Sequence, residues 1–348
     1  MTSLRTFIPS TPVSAENGPP SMPPSVPPTM PDAQGGPPRS FARRAADFWL
    51  AAFFTASERW PGFVGRFQGA FCRAAFRCSR QIRTATLANA ARILGPGSSD
   101  SQRERLARGV LRSFYQFCLD VGRSTSMSRD QLLAQIADVQ GRDHYNAARQ
   151  PGKGLIVVTA HMGSFEVGLA ELTTREPRIH VIFRRDVQGG FERQRSSLRR
   201  RLNVIENPVD DGWTMWIGLR DAVAAGDAVV FQGDRVMPGQ KGRRVPFLHG
   251  TLELPTGPVK MARLTGAPIL PIFTVRQDDG RILVIIDPPI TAADDQPSTD
   301  GSDALLRKLA LAIERRVAEY PDQWLMFHPA FCEDQPPRQP TTARVVAP

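Results

Sequence analysis

His161 and Glu166 are the two side chains whose types and spacing most directly suggest chemistry. A neutral imidazole can take a hydroxyl proton near pH 7, and a carboxylate beside it can fix the ring tautomer and stabilise the imidazolium that forms. Both lie in the stretch from Gly154 to Gly168. Its unbroken apolar run, Leu155 to Val158, reads as a strand covered on both faces, and ligands gather at the carboxyl ends of such strands. His161 sits at that end. After it, Gly163 loosens the turn, Ser164 is placed to act as N-cap, and Glu166 falls in the first turn of a helix through Val167, Leu169, Ala170 and Leu172. The expectation is that His161 and Glu166 face one crevice, as general base and orienting carboxylate. A metal site would need His249 or His328 to fold in, because no third ligand stands nearby, so none is expected. Ser164 lacks the Gly-x-Ser-x-Gly setting of an activated nucleophile.

Further charged residues follow later apolar runs. Arg184 and Arg185 come after Ile179 to Phe183, Asp234 and Arg235 come after Val229 to Phe231, and Gly257 with Pro258 opens a helix ahead of a buried strand, Ala267 to Phe273. With the closing segment Pro321 to His328, which contains Trp324, this order resembles the bacterial lipid A biosynthesis (lauroyl/myristoyl) acyltransferase family, within the lysophospholipid acyltransferase superfamily. The resemblance covers Gly152 to Phe331. It implies that His161 and Glu166 form the catalytic His-x-x-x-x-Asp/Glu block, that Arg184 meets a phosphate or the developing oxyanion, and that Asp234 with Arg235 shapes the acceptor site. Gly257 and Pro258 match the family's Gly/Pro block. The implied reaction moves a fatty acyl group from an acyl carrier protein or coenzyme A thioester to a hydroxyl of a membrane lipid or glycolipid, such as a lipid A precursor. No cofactor is implied, and the implied place is the cytoplasmic face of the bacterial inner membrane. Two departures stand out: family members usually begin with a membrane-spanning helix, and Pro329 and Ala330 occupy positions where basic residues are common. A non-catalytic membrane or carrier-protein binding module and a thioester hydrolase are the competing classes.

The elements that must position these groups form an α/β fold, a mixed central sheet flanked by helices, preceded by an N-terminal helical segment. The 348 residues divide into a disordered proline-rich tail (1–39), a helical membrane-docking segment (40–150), an α/β acyltransferase domain (151–334) and a loose tail (335–348). Paired prolines such as Pro19-Pro20 and Pro27-Pro28 supply neither helix donors nor apolar periodicity. No apolar core follows Arg5, so a signal peptide is not expected. The apolar stretch Phe48 to Ala56 is shorter than the roughly 20 residues that span a bilayer, which leaves an interfacial helix or one packed on the core. Arg66 to Leu94 reads as a basic amphipathic helix ended by Gly95-Pro96-Gly97. Ser101 to Gly122 reads as a second helix, capped by Asp100 or Ser101, and Asp130 to Ala148 as a third. Five arginines between Phe191 and Leu202 are candidates to hold phosphate beside the crevice. Trp213 to Gly226, Gly257 to Gly266 and Asp303 to Tyr320 read as helices, Gly239 to Arg244 as an exposed basic loop, and Asp279-Gly280 as a hairpin turn between two apolar runs.

Net charge is +10, from 44 basic and 34 acidic residues. Nucleic acid is not the expected partner, because aromatics sit in apolar stretches and do not alternate with basic residues as stacking platforms do. Peripheral attachment to a membrane is. Cys72, Cys78, Cys118 and Cys332 lack paired spacing and are expected as free thiols.

Overall fold

All four residues from Leu155 to Val158 are buried, and they point alternately to two different cores. Leu155 and Val157 join the cluster with Leu169, Leu198 and Val204, while Ile156 and Val158 join the one with Leu219, Val259 and Ile313. Period-two alternation in a strand with helices on both faces produces this pattern. The computed structural model describes residues 41–183, 189–237, 240, 242–295 and 303–334. The described residues from Ala45 onward form one compact unit. Arg184 and both expected tails lie outside the described residues.

The elements run in chain order as follows. Five helices come first: α1 (Phe41–Arg59), α2 (Pro61–Arg66), α3 (Gln68–Cys78), α4 (Arg80–Leu94) and α5 (Asp100–Ser124). Then α6 (Arg129–Leu133), β1 (Ile136–Gln140), α7 (Arg142–Arg149), β2 (Leu155–Thr159), α8 (Phe165–Leu172), β3 (Ile179–Phe183), α9 (Gly189–Arg201) and β4 (Ile205–Pro208) alternate. They are followed by α10 (Gly212–Ala224), β5 (Ala228–Gln232), β6 (Gly242–Phe247), β7 (Gly250–Pro255), α11 (Gly257–Thr265), β8 (Ile269–Arg276), β9 (Ile282–Ile286) and α12 (Ala304–Glu319). Seven strands make the main sheet in the order β1-β9-β8-β2-β5-β3-β4, and β6 with β7 makes a separate hairpin. Every neighbouring pair in the main sheet is parallel except β8 and β9, so the sheet is mixed, as expected. The Asp279-Gly280 turn joins those two strands, with Gly280 at a φ of 85°.

Several local expectations change. Asp130 to Ala148 is not one helix: α6 ends at Leu133 and β1 pairs with β9, so the sheet begins ahead of β2. Arg66 to Leu94 is interrupted at Phe67 and Ser79, because the Ser79 hydroxyl caps α4 by accepting from the Ile82 amide at 3.3 Å. Ser99, and neither Asp100 nor Ser101, caps α5, in a reciprocal box with Gln102. Within the stretch expected as an exposed basic loop, residues from Gly242 onward form β6, held by six register pairs with β7 that leave Arg243 and Arg244 exposed. α1 packs on the core through Phe54, beside Phe117, Val121 and Leu325. Among the described residues, no helix is long and apolar enough to cross a membrane.

Candidate active site

β2 and β5 are neighbours, and their register pairs Thr159 with Gln232. Two residues beyond each strand stand His161 and Asp234, so the register alone sets these side chains against one another. The Gly233 amide donates to the Thr159 carbonyl at 2.8 Å and closes the two strand ends together. Gly163, just after His161, has a φ of 53°, and a Cβ there would lie 2.2 Å from the Thr159-flanking strand's Thr274 carbonyl oxygen in β8. Only glycine tolerates both the left-handed backbone and that approach.

The carboxylate that meets the imidazole belongs to Asp234. His161 Nδ1 lies 2.7 Å from Asp234 Oδ1, and the His161 amide donates to Oδ2 at 3.0 Å. The Trp324 indole N–H donates to the same Oδ2 at 2.9 Å. Asp234 is fully buried and its carboxylate is spent on these three donors, so it does not face the cleft as an acceptor-shaping group. Burial opposes its ionisation, but His161, Arg235 and the hydrogen bonds outweigh that and hold its pKa below the ordinary carboxylate range. For His161, burial is the largest influence and lowers the pKa; Asp234 raises it, Arg235 and Arg195 lower it, and the net shift is downward, so the ring is neutral at pH 7. An ionised carboxylate only accepts, so Nδ1 carries the proton and Nε2 keeps its lone pair.

Glu166 does not orient His161. It occupies the second position of α8 and pairs with Arg195 and Arg199 of α9, while the adjacent Phe165 ring is the group that stands edge-on to His161, centroids 6.1 Å apart. Glu166 lines a small cavity of about 70 Å³ with Leu169 and Val230, whereas His161 lines a larger, adjoining cleft that shares Ile182 and Gln232 as walls. Arg199 also donates to Glu206 at 2.6 Å, so the inner arginines of α9 are engaged in ion pairs within the protein. Ser164 takes the N-cap position of α8, as expected, but makes no side-chain cap bond; its hydroxyl donates to buried Asp120, which Arg276 also holds.

The cleft before His161 has a volume of about 510 Å³, within the usual size range of small-molecule sites. Its walls include Phe183, Trp216, Phe231, Met261 and Leu264, with Arg235 and Lys260 as the basic groups. The Arg235 Nε is buried without a hydrogen-bond partner. Gly257 and Pro258 line the same cleft, and a Cβ on Gly257 would approach the Trp216 ring to 2.8 Å, so glycine is what lets α11 start against the aromatic wall. The structure thus brings His161, Arg235, Gly257 and Pro258 to one cavity and places Asp234 behind the imidazole. His249 is elsewhere, its amide bonded to the Arg92 carbonyl, and no group of three or more His, Cys, Asp or Glu placed to hold a metal occurs among the described residues.

The closing segment completes the site. Leu325 N–H donates to the His161 carbonyl at 2.7 Å, and Gly163 N–H donates to the Gln323 carbonyl at 3.1 Å. The residue that sequence reading did not assign is Trp324, whose family-like position was visible but whose target was not. Trp324→Phe deletes one donor to a buried carboxylate and shrinks a fully buried ring, so the folded state should lose about 1–3 kcal/mol for the donor and a further cost for the cavity. Urea unfolding checks this, and an unchanged stability would contradict it.

A family model described as bacterial lipid A biosynthesis acyltransferase matches residues 37–333. The chain is 25% identical over 305 residues to a phosphatidylinositol mannoside acyltransferase of Mycobacterium tuberculosis, covering 86% of this chain and 92% of that one. It is 23% identical over 250 residues to the protein of that name in Mycolicibacterium smegmatis, covering 71% and 78%. With the lipid A biosynthesis lauroyltransferase of Escherichia coli K12 it shares 21% identity over 252 residues, covering 68% and 74%.

Proposed function

The chain belongs to the bacterial lipid A biosynthesis acyltransferase family, and from that premise we propose that it transfers a fatty acyl group from a thioester to a hydroxyl of a membrane glycolipid, with His161 as general base. The observation that carries the mechanism is the His161–Asp234 pair, which leaves an unprotonated Nε2 at an apolar cleft. The acceptor O–H gives its proton to Nε2 as its oxygen attacks the thioester carbonyl carbon. When the tetrahedral intermediate collapses, the C–S bond breaks and the departing thiolate takes that proton from the imidazolium. No acyl-enzyme is required. Asp234 keeps the ring in the productive tautomer and stabilises the imidazolium.

Apolar walls of Trp216, Phe231 and Met261 suit the acyl chain, and Arg235 suits a phosphate or the developing oxyanion. By family resemblance Arg184 shares that work. The names of relatives, lipid A and phosphatidylinositol mannoside acyltransferases, support a phosphorylated glycolipid acceptor. The donor is an acyl carrier protein or coenzyme A thioester. Both are cytoplasmic, which sets the reaction at the inner face of the membrane, with the enzyme peripherally attached.

The test is incubation of the full chain with labelled acyl carrier protein or acyl coenzyme A and bacterial lipid extract. Labelled lipid supports transfer. Free fatty acid as sole product would make the protein a hydrolase, and binding without turnover would make it a binding module.

A further inference from the structure

Helices α2 and α3 turn one face inward and leave the other largely uncovered by the described residues. Val64, Cys72 and Phe76 pack on Leu111, Tyr115 and Leu119 of α5, and the Tyr115 hydroxyl fixes the arrangement by donating to the Val64 carbonyl at 2.7 Å. Trp60, Phe63, Phe67 and Phe71 lie on the outside, 62%, 59%, 52% and 52% exposed. Arg66, Arg73 and Arg77 are exposed on the same two helices. From Arg59 to Ser99 the sequence holds seven arginines and no acidic residue.

We propose that this ridge is the surface by which the protein docks on an anionic lipid bilayer. Four large rings left in water at a helix face need a cover, and bilayer interfaces take aromatic rings at headgroup depth while guanidinium groups meet lipid phosphates. An acidic carrier protein would satisfy the arginines and leave the rings uncovered; a second copy of this chain would bring arginine against arginine. The bilayer satisfies both features. This goes beyond peripheral attachment as such by naming the surface and the lipid charge it needs, and it stands apart from the chemistry at His161.

Sedimentation of the full chain with vesicles tests it. The protein should pellet with an equimolar mixture of phosphatidylcholine and phosphatidylglycerol at least ten-fold more strongly than with phosphatidylcholine alone, and added salt should release it. Arg66→Glu with Arg73→Glu and Arg77→Glu should weaken partition about a hundred-fold or more, at the usual contribution of each basic residue near a charged surface. Phe63→Ser with Phe67→Ser should weaken it about ten-fold or more. These side chains are exposed, so thermal melting and acyl transfer to a detergent-dispersed acceptor should stay at wild-type levels. Because the two variants alter different side chains, misfolding of one leaves the other to decide. Undiminished vesicle binding by the variants, wild-type protein that stays in solution, or variants that lose only a carrier-protein complex or a self-dimer would each overturn the assignment. Absence of acyl transfer with intact vesicle binding would instead remove the catalytic reading and leave the ridge standing.

Discussion

His161→Ala is expected to lower kcat for acyl transfer by about 10²–10⁴-fold, the usual worth of a positioned general base, with the cleft and the sheet intact. The substitution removes the only imidazole among the described residues that line the cleft and leaves Asp234 with its backbone and indole donors. Rates should therefore fall with little change in KM, because the acceptor is bound by the cleft walls and not by the base. The wild-type pH profile gives a second readout. Burial, Arg235 and Arg195 hold the His161 pKa below 6.5, so kcat/KM should persist as pH drops through 6.5 and decline only below it. Stability runs with the same sign. A histidine with a depressed folded pKa and a carboxylate with one both bind protons more readily when unfolded, so their contribution is complete above pH 6.5. It erodes first below 6.5 through His161, and again below the unfolded aspartate value of 3.8 through Asp234. Full activity in the alanine variant would remove His161 from the mechanism.

Asp234→Asn should be comparably damaging to turnover, with kcat lowered about 10³–10⁴-fold. The amide can donate to Nδ1 and drive the proton onto Nε2, the tautomer fault that disables a serine-protease triad when its aspartate becomes asparagine. Glu166→Gln separates this account from the one based on spacing. Glu166 is 5% exposed at its side chain and faces Arg195 and Arg199, so losing its charge should destabilise the fold by about 3–5 kcal/mol, as breaking a buried ion pair does. At temperatures where that variant stays folded, its kcat should remain within ten-fold of wild type. Urea titration and steady-state kinetics on the two variants measure both effects. A catalytic loss in Glu166→Gln that matched the loss in Asp234→Asn would restore the shorter pairing.

The contrast shows which parts of the site a sequence carries locally. Leu155 to Val158 is legible as a buried strand because four consecutive apolar residues need cover on both faces, and His161 follows as the polar residue delivered at its end. The glycine turn and the helix after it are legible for the same reason. The partner of His161 is not, because it lies 73 residues away and its arrival depends on β5 pairing beside β2 in one register. Trp324 is 90 residues from the carboxylate it holds, and no periodicity announces an indole N–H aimed at a buried acid. Glu166 misleads because α8 begins at Phe165: a step of about 100° around the helix, which follows from 3.6 residues per turn, presents the phenyl ring to His161 and the carboxylate to α9. β1 was hidden for a different reason. Five residues between two short helices carry a weak alternation of their own, and pairing with the fully buried β9 overrides it.

The central claim is that His161 is neutral, with its proton on Nδ1 and its Nε2 lone pair open to substrate. Nitrogen-15 NMR of histidine-labelled protein observes this directly, with His161→Gln assigning the resonances. The account predicts a hydrogen-bonded Nδ1–H and an unprotonated Nε2 across neutral pH, with protonation only below pH 6.5. A proton on Nε2 at pH 7, or a ring that titrates above 6.5, would contradict it.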